Sequence, residues 1–209
     1  MRTKIMTIAA VMLLVCTSAN AQGKVRSITV GVAPLGYSHV NISLKDEKYK
    51  YDYKSYMNFN VGYERQFKGV VSLTEITYAQ AKFDKYDLTG TSQWFDPTQK
   101  EDVKDFAITT YAGKTINPNK RIQFPVYIGI GGEYLSGGPL HNLAIDLAAK
   151  ARVKFYISNN FGIYVGATGR YGYGMKSASK KSSNDYDSTK SYSIVPTMWA
   201  VDAGIVIEL

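Results

Sequence analysis

Two histidines and a scattered set of carboxylates and basic groups are the residues whose types could do chemistry in this 209-residue chain. His39 follows Ser38, and His141 comes shortly after Ser136, so each imidazole has a hydroxyl nearby in sequence. Acyl transfer needs such a hydroxyl held by the base, with a carboxylate orienting the ring. Neighbouring residues of a strand point to opposite faces, so Ser38 and His39 do not converge, and neither neighbourhood carries a hydrolase signature. Glu64, Glu75, Glu133, Asp146, Arg152, Arg170 and Asp202 form a second set that could be read as acid–base groups. The sole cysteine, Cys16, lies in the leader described below, so the remainder has neither disulfide nor thiolate metal site. No Gly-rich phosphate loop or zinc spacing occurs. These observations predict a chain that is not an enzyme and holds no cofactor or metal.

The elements that position these groups are strands. From Asn142 the residues Leu143, Ile145, Leu147, Ala149, Ala151, Val153, Phe155 and Ile157 occupy one parity, and Asp146, Lys150, Arg152, Lys154 and Tyr156 the other. After the turn Ser158-Asn159-Asn160 the alternation resumes, with Ile163, Val165, Ala167, Tyr171 and Tyr173 opposite Gly162, Tyr164, Gly166, Thr168, Arg170 and Gly172. A helix over the first arm would mix Leu147 with Lys150 and Lys154 on one stripe, which excludes it. Each arm is long for a soluble strand of about five or six residues and suits the roughly nine to eleven that cross a bilayer at a tilt.

Residues 1–21 read as a secretory signal, with Arg2 and Lys4 ahead of an apolar stretch from Ile5 to Val15 and Ala19-Asn20-Ala21 as the cleavage box. The mature part, residues 22–209, forms one domain. The formal charge of +8 falls to +6 once Arg2 and Lys4 are removed, and the lysines gather in a few polar stretches.

Further alternating segments are residues 27–37, with Pro34 marking a bulge or a weak ladder position, then 56–67, 70–83, 105–115, 122–134 and 193–209. The faces of 105–115 cannot be assigned from its sequence. The connections 38–55, 84–104, 136–141 and 176–192 are polar and read as loops; the last is low in complexity. Those at Lys68-Gly69, Asn117-Pro118-Asn119-Lys120 and 158–160 are tight turns. Long connections at one end and short ones at the other, on an even number of strands, are the plan of outer-membrane barrels. Polar faces rich in Gly, Ala, Asn and Tyr fit a narrow lumen better than a solvated surface, and aromatics gather near both ends of the strands.

On these residues the chain resembles the small OmpA/OmpX-type eight-stranded outer-membrane β-barrels of Gram-negative bacteria across essentially all of residues 22–209. Such barrels usually end in an aromatic residue, where Leu209 stands here. The resemblance implies an all-β fold: an eight-stranded antiparallel up-and-down transmembrane β-barrel, after an N-terminal signal peptide, in the outer membrane. In such a barrel Leu147, Val153, Ile163, Val165, Ile128, Val201 and Ile205 face lipid. Glu64, Glu133, Lys150, Arg152, Arg170 and Asp202 form a paired, structural charge network in the lumen, with Arg170 and Asp202 on neighbouring strands. The expected function is a structural or cell-surface binding role without catalysis, through loops 38–55, 84–104 and 176–192. The expected partners are outer-membrane lipid and lipopolysaccharide, with no nucleic acid, and the barrel is expected to be a monomer. A small-solute channel is the alternative, and a lipid A-modifying enzyme using His39 or His141 a further one.

Overall fold

The computed structural model describes residues 25–44, 47–89, 102–118, 121–137, 140–180 and 188–209; the signal segment 1–21 and Cys16 lie outside them. The strands are β1 (Val25–Leu44), β2 (Glu47–Phe67), β3 (Val70–Thr89), β4 (Val103–Ile116), β5 (Ile122–Gly137), β6 (Leu140–Tyr156), β7 (Phe161–Lys180) and β8 (Ser188–Glu208). Each pairs antiparallel with the next, and β8 returns to β1, so the sheet closes as an up-and-down barrel of eight strands. Closure leaves no unpaired backbone edge, the condition for a sheet to cross hydrocarbon. Lys68 and Gly69, at φ 48° and 82°, form the two-residue hairpin between β2 and β3, where both central residues must take positive φ.

The two faces follow the alternation. Outward-pointing Ile128 is 69% exposed, Leu147 63% and Val165 55%, whereas Glu64, Arg152 and Asp202 are almost fully buried inside. Val153, Ile163 and Ile205 are also exposed, and Val201 is half-exposed on the same face. An apolar exterior around a charged interior inverts the arrangement of a soluble protein. On β7 this band runs from Phe161 to Tyr171, about the span of a tilted bilayer strand. β4 resolves cleanly, with Val103, Asp105, Ala107, Thr109 and Tyr111 inward and Phe106 and Ile108 outward.

The strands are longer than their membrane part, which corrects the loop assignments. Of residues 38–55, all but 45 and 46 belong to β1 and β2, paired from Gly36↔Ser55 to Leu44↔Glu47. Likewise β3 continues to Thr89, β7 to Lys180 and β8 starts at Ser188, so residues 84–89 and 103–104 of the first segment and 176–180 and 188–192 of the other are strand; residues 90–101 and 181–187 lie outside the described part. The connection at 136–141 is also short, because β5 and β6 pair as far as Gly137↔Leu140.

Ladder shifts flip the faces where the strands leave the membrane. In β1 the register changes between Val32 and Leu35, around Pro34; in β2 it changes between Ser55 and Met57. One extra residue reverses every later side chain. Below these points β2 turns Asn58, Asn60, Gly62 and Glu64 inward; above them it turns Tyr49, Tyr51 and Tyr53 inward and Lys48, Lys50 and Lys54 outward. The outer extension therefore has an apolar core of its own, with Val40, Ile42, Ala81, Val103, Leu135 and Ile194 packed among those tyrosines.

Candidate functional site

Three places gather polar chemistry: the lumen, the outer pole and the mouth at the tight-turn end. In the lumen the charges form tiers. Nearest the tight turns, Glu64 accepts from Lys154 Nζ at 2.5 Å and from Tyr127 Oη at 2.7 Å. In the middle, Arg152 Nη2 lies 2.5 Å from Glu75 Oε2 and 3.2 Å from Asp202 Oδ2, and its guanidinium stacks 4.3 Å from the Tyr164 ring centroid. Lys150 pairs with Glu75 and stands 3.7 Å from Asp202. Gly166 permits this approach, since a Cβ there would sit 2.7 Å from Arg152 Cγ and 2.9 Å from Asp202 Oδ1. In the outer tier Arg170 pairs with Asp105 and stands 3.6 Å from Glu133, while Asp146 accepts from Thr109 at 3.5 Å.

The structure thus brings Lys150, Arg152 and Asp202 together, but it puts Glu64 in a tier below and Arg170 with Glu133 in a tier above. Arg170 and Asp202 are on adjacent strands, yet each takes partners from elsewhere: Arg170 from β4 and β5, and Asp202 from β6. Lys154 and Asp105 are network members that the sequence reading left out, and Glu75, one of the polar-face charges it singled out, pairs with both Lys150 and Arg152. The polar parity of β6 already marked Lys154, whereas Asp105 sits on the strand whose faces were unassigned.

Among the described residues the middle of the lumen is filled by side chains. Its central void, between Asn58, Asn60, Lys150, Thr168 and Arg170, measures about 10 Å³, room for one water at most. A recess of about 250 Å³ opens at the tight-turn mouth beside Arg121, Ser158 and Glu208. Gln66 and Gln123 close that end by donating to the Pro118 carbonyl at 3.0 and 2.9 Å.

At the outer pole His39 Nδ1 lies 2.5 Å from Asp52 Oδ1, and its ring packs edge-on against Tyr37 at 4.4 Å. Lys85 and Lys50 stand 3.6 and 3.9 Å from the same carboxylate. Asp52, opposite His39, is two ladder pairs beyond the Tyr37–Trp199 aromatic row, outside the bilayer. Burial pushes its carboxyl up, but hydrogen bonds from His39 and Tyr37 and the nearby positive charge outweigh this and hold it below the ordinary carboxylate value. Ser38 and His39 are successive strand residues with different partners, so the pair makes no nucleophile–base arrangement. His141 is paired with Ser136 in the β5–β6 ladder, and its side chain lies outside the described part. Among the described residues, no group of three or more His, Cys, Asp or Glu could hold a metal ion.

Around His39 and Asp52 the outward face of β2 and β3 carries Lys48, Lys50, Lys54, Lys82 and Lys85. Lys54 and Lys82 are directly opposite each other in the ladder, and Asp84 reaches Lys54 at 3.0 Å. Like charges opposed on a sheet are destabilising, and here Asp84 offsets part of that repulsion at Lys54 while Asp52 does so at Lys50 and Lys85.

A closed barrel with an apolar belt, aromatic rows at both ends of that belt and a charge-filled lumen is a transmembrane β-barrel. Its fold is that of the small eight-stranded outer-membrane β-barrels. No family model matches the sequence, and no curated protein matches it. Among solved structures, the chain is similar to the outer membrane protein OprG from Pseudomonas aeruginosa, at 10% identity and a TM-score of 0.50, over 89% of this chain and 95% of that one. It is also similar to Neisserial surface protein A, at 15% identity and a TM-score of 0.42, over 87% and 97% of the two chains. A third is Ail, the attachment invasion locus protein of Yersinia pestis, at 14% identity and a TM-score of 0.38, over 87% and 99%.

Proposed function

We propose that this barrel works at its outer pole, as a non-catalytic cell-surface protein that binds the phosphate groups of lipopolysaccharide. The observation that carries this reading is the lysine face of the β2–β3 extension, turned outward by the ladder shifts and holding Lys54 opposite Lys82. Phosphate oxygens accept charge-assisted hydrogen bonds from ammonium groups and relieve their mutual repulsion. The face also stands at headgroup level, just beyond the Tyr37–Trp199 row. A solute-channel role is disfavoured by the central void of about 10 Å³. The test is titration of purified, detergent-folded protein with lipopolysaccharide over a range of salt. The expected binding weakens as salt rises, and it weakens at low salt when Lys48, Lys50, Lys54, Lys82 and Lys85 are replaced by glutamine. Equal binding by the glutamine variant would contradict the reading.

A further inference from the structure

Beside the lysine face the barrel wall carries a depression that no lumenal function uses. It is a shallow groove, wide open to the surroundings and about 470 Å³ in volume, on the outward side of β6, β7 and β8, bordered by Leu147, Tyr171, Thr197 and Trp199 with Ala149 and Gly169 as its floor. Leu147 is 63% exposed, Tyr171 56% and Trp199 50%, so the walls are large apolar side chains standing in the lipid belt. The floor is low because Gly169 has no side chain: a Cβ built there would meet nothing within 4 Å.

The groove and the lysines belong to one row of cross-strand neighbours. Ala149 pairs with Gly169, Gly169 with Trp199, Trp199 with Tyr37, Tyr37 with Lys54, and Lys54 with Lys82. Strands lie about 4.8 Å apart, so Lys54 is roughly 10 Å from Trp199 and about 14 Å from Gly169 along this row. In a barrel whose strands tilt by about 35–45°, such a row is not level. It rises from the apolar belt at Ala149, through the aromatic pair Trp199–Tyr37, to charged residues in water at Lys54 and Lys82.

That sequence of environments is the profile of one amphiphile. We infer that this row is a binding site for a single phosphorylated, acylated sugar lipid of the outer leaflet, the lipid portion of lipopolysaccharide, with an acyl chain in the Gly169 groove and a phosphate at Lys54 and Lys82. The inference rests on the proposed surface role and gives it a defined ligand subsite. Charge complementarity selects the occupant: Asp84 answers only Lys54, so an uncharged chain alone would leave the excess positive charge of Lys54 and Lys82 unmatched, and a free phosphate would leave the groove without a specific tenant. In hydrocarbon the groove does not attract a chain by the hydrophobic effect, because bulk lipid is equally apolar. Its contribution is shape, through dispersion contacts with Tyr171, Leu147 and Trp199, while the headgroup contacts supply the charge selection.

The experiment uses the full chain, folded in detergent, in a Trp94→Phe background so that Trp199 is the only tryptophan. It is titrated with lipid A carrying brominated acyl chains, with its monophosphoryl form, and with brominated phosphatidylglycerol. Lipid A is expected to quench Trp199 saturably and to bind at least about tenfold more tightly than either comparison lipid, a factor well within what one lost phosphate contact supplies. Gly169→Leu fills the groove and should abolish the saturable quench; Ala149→Leu repeats the test should the first variant fail to fold. Lys54→Gln with Lys82→Gln should weaken lipid A by about tenfold and bring it to the level of the monophosphoryl form. A folded Gly169→Leu or Ala149→Leu barrel with wild-type quenching and affinity overturns the groove, even if lipopolysaccharide still binds the lysine face. Phosphatidylglycerol quenching as tightly as lipid A overturns the choice of ligand. Absence of any lipid A binding to the parent protein overturns both this site and the surface role.

Discussion

Replacing Arg152 by methionine should unfold the middle tier of the lumen before it disturbs anything else. That tier holds Lys150 and Arg152 against Glu75 and Asp202, and all of them are nearly inaccessible to solvent. Loss of the guanidinium leaves two carboxylates facing one ammonium. At an effective dielectric of about 20, unit charges roughly 4 Å apart interact by about 4 kcal/mol, and Arg152 holds two such contacts, partly offset by its own desolvation. Breaking a buried pair by removing one partner costs about 3–5 kcal/mol, so about 4 kcal/mol is expected here. The assay is reversible urea unfolding of the folded barrel in lipid vesicles, followed by tryptophan fluorescence, with the slope against urea checked for constancy. Combining the substitution with Glu75→Gln restores charge balance and should recover most of the loss. A single-variant cost below about 1 kcal/mol, or a double variant no better than the single one, would refute the paired-tier account.

The outer tier should behave in the opposite sense. Asp105, Glu133 and Asp146 share Arg170, so Glu133→Gln removes one of three carboxyls competing for a single cation and is expected to leave the unfolding free energy unchanged or raise it, while Arg170→Met lowers that free energy by about 3–5 kcal/mol. On the lipid face, Val165 lies near the middle of the span from Phe161 to Tyr171. Val165→Arg should cost about 2–4 kcal/mol in bilayers, and a smaller loss would move that position away from the bilayer centre. At the outer pole, Asp52 is held below its ordinary pKa, so its contribution to stability is present above the unfolded-state value and fades as pH falls through the folded one. Asp52→Asn should therefore flatten the acid limb of the unfolding midpoint against pH; an unchanged acid limb would remove Asp52 from that role.

The membrane part of the fold was legible because its two faces differ so sharply. Leu147, Val153, Ile163 and Val165 on one parity and Lys150, Arg152 and Lys154 on the other leave a single strand phase, and an even number of such segments lets the last strand return antiparallel to the first, as β8 does to β1. The outer extension was not legible as strand, because lysine and aspartate between tyrosines have the composition of a loop. The signal was nonetheless present: Lys48, Lys50, Asp52 and Lys54 alternate with Tyr49, Tyr51 and Tyr53, with a parity opposite to that of Asn58–Gln66. The shift between Ser55 and Met57 that reverses it breaks the period at one residue, which conceals the continuity. On β4, outward Phe106 and Ile108 give way to Thr110 and Ala112, so polarity does not separate its faces. Ion-pair partners were beyond the sequence for a different reason. Arg170 meets Asp105 and Glu133 across the lumen rather than Asp202 on the next strand, and the tilt and stagger of the barrel decide who meets whom.

The claim that this barrel acts at its outer surface rather than through its lumen is tested most directly by planar-bilayer recording of the purified, folded protein. A lumen with a central void of about 10 Å³ between paired charges should pass no steady current at any voltage the bilayer withstands. Steady, voltage-independent single-channel currents would contradict the account and make the protein a channel.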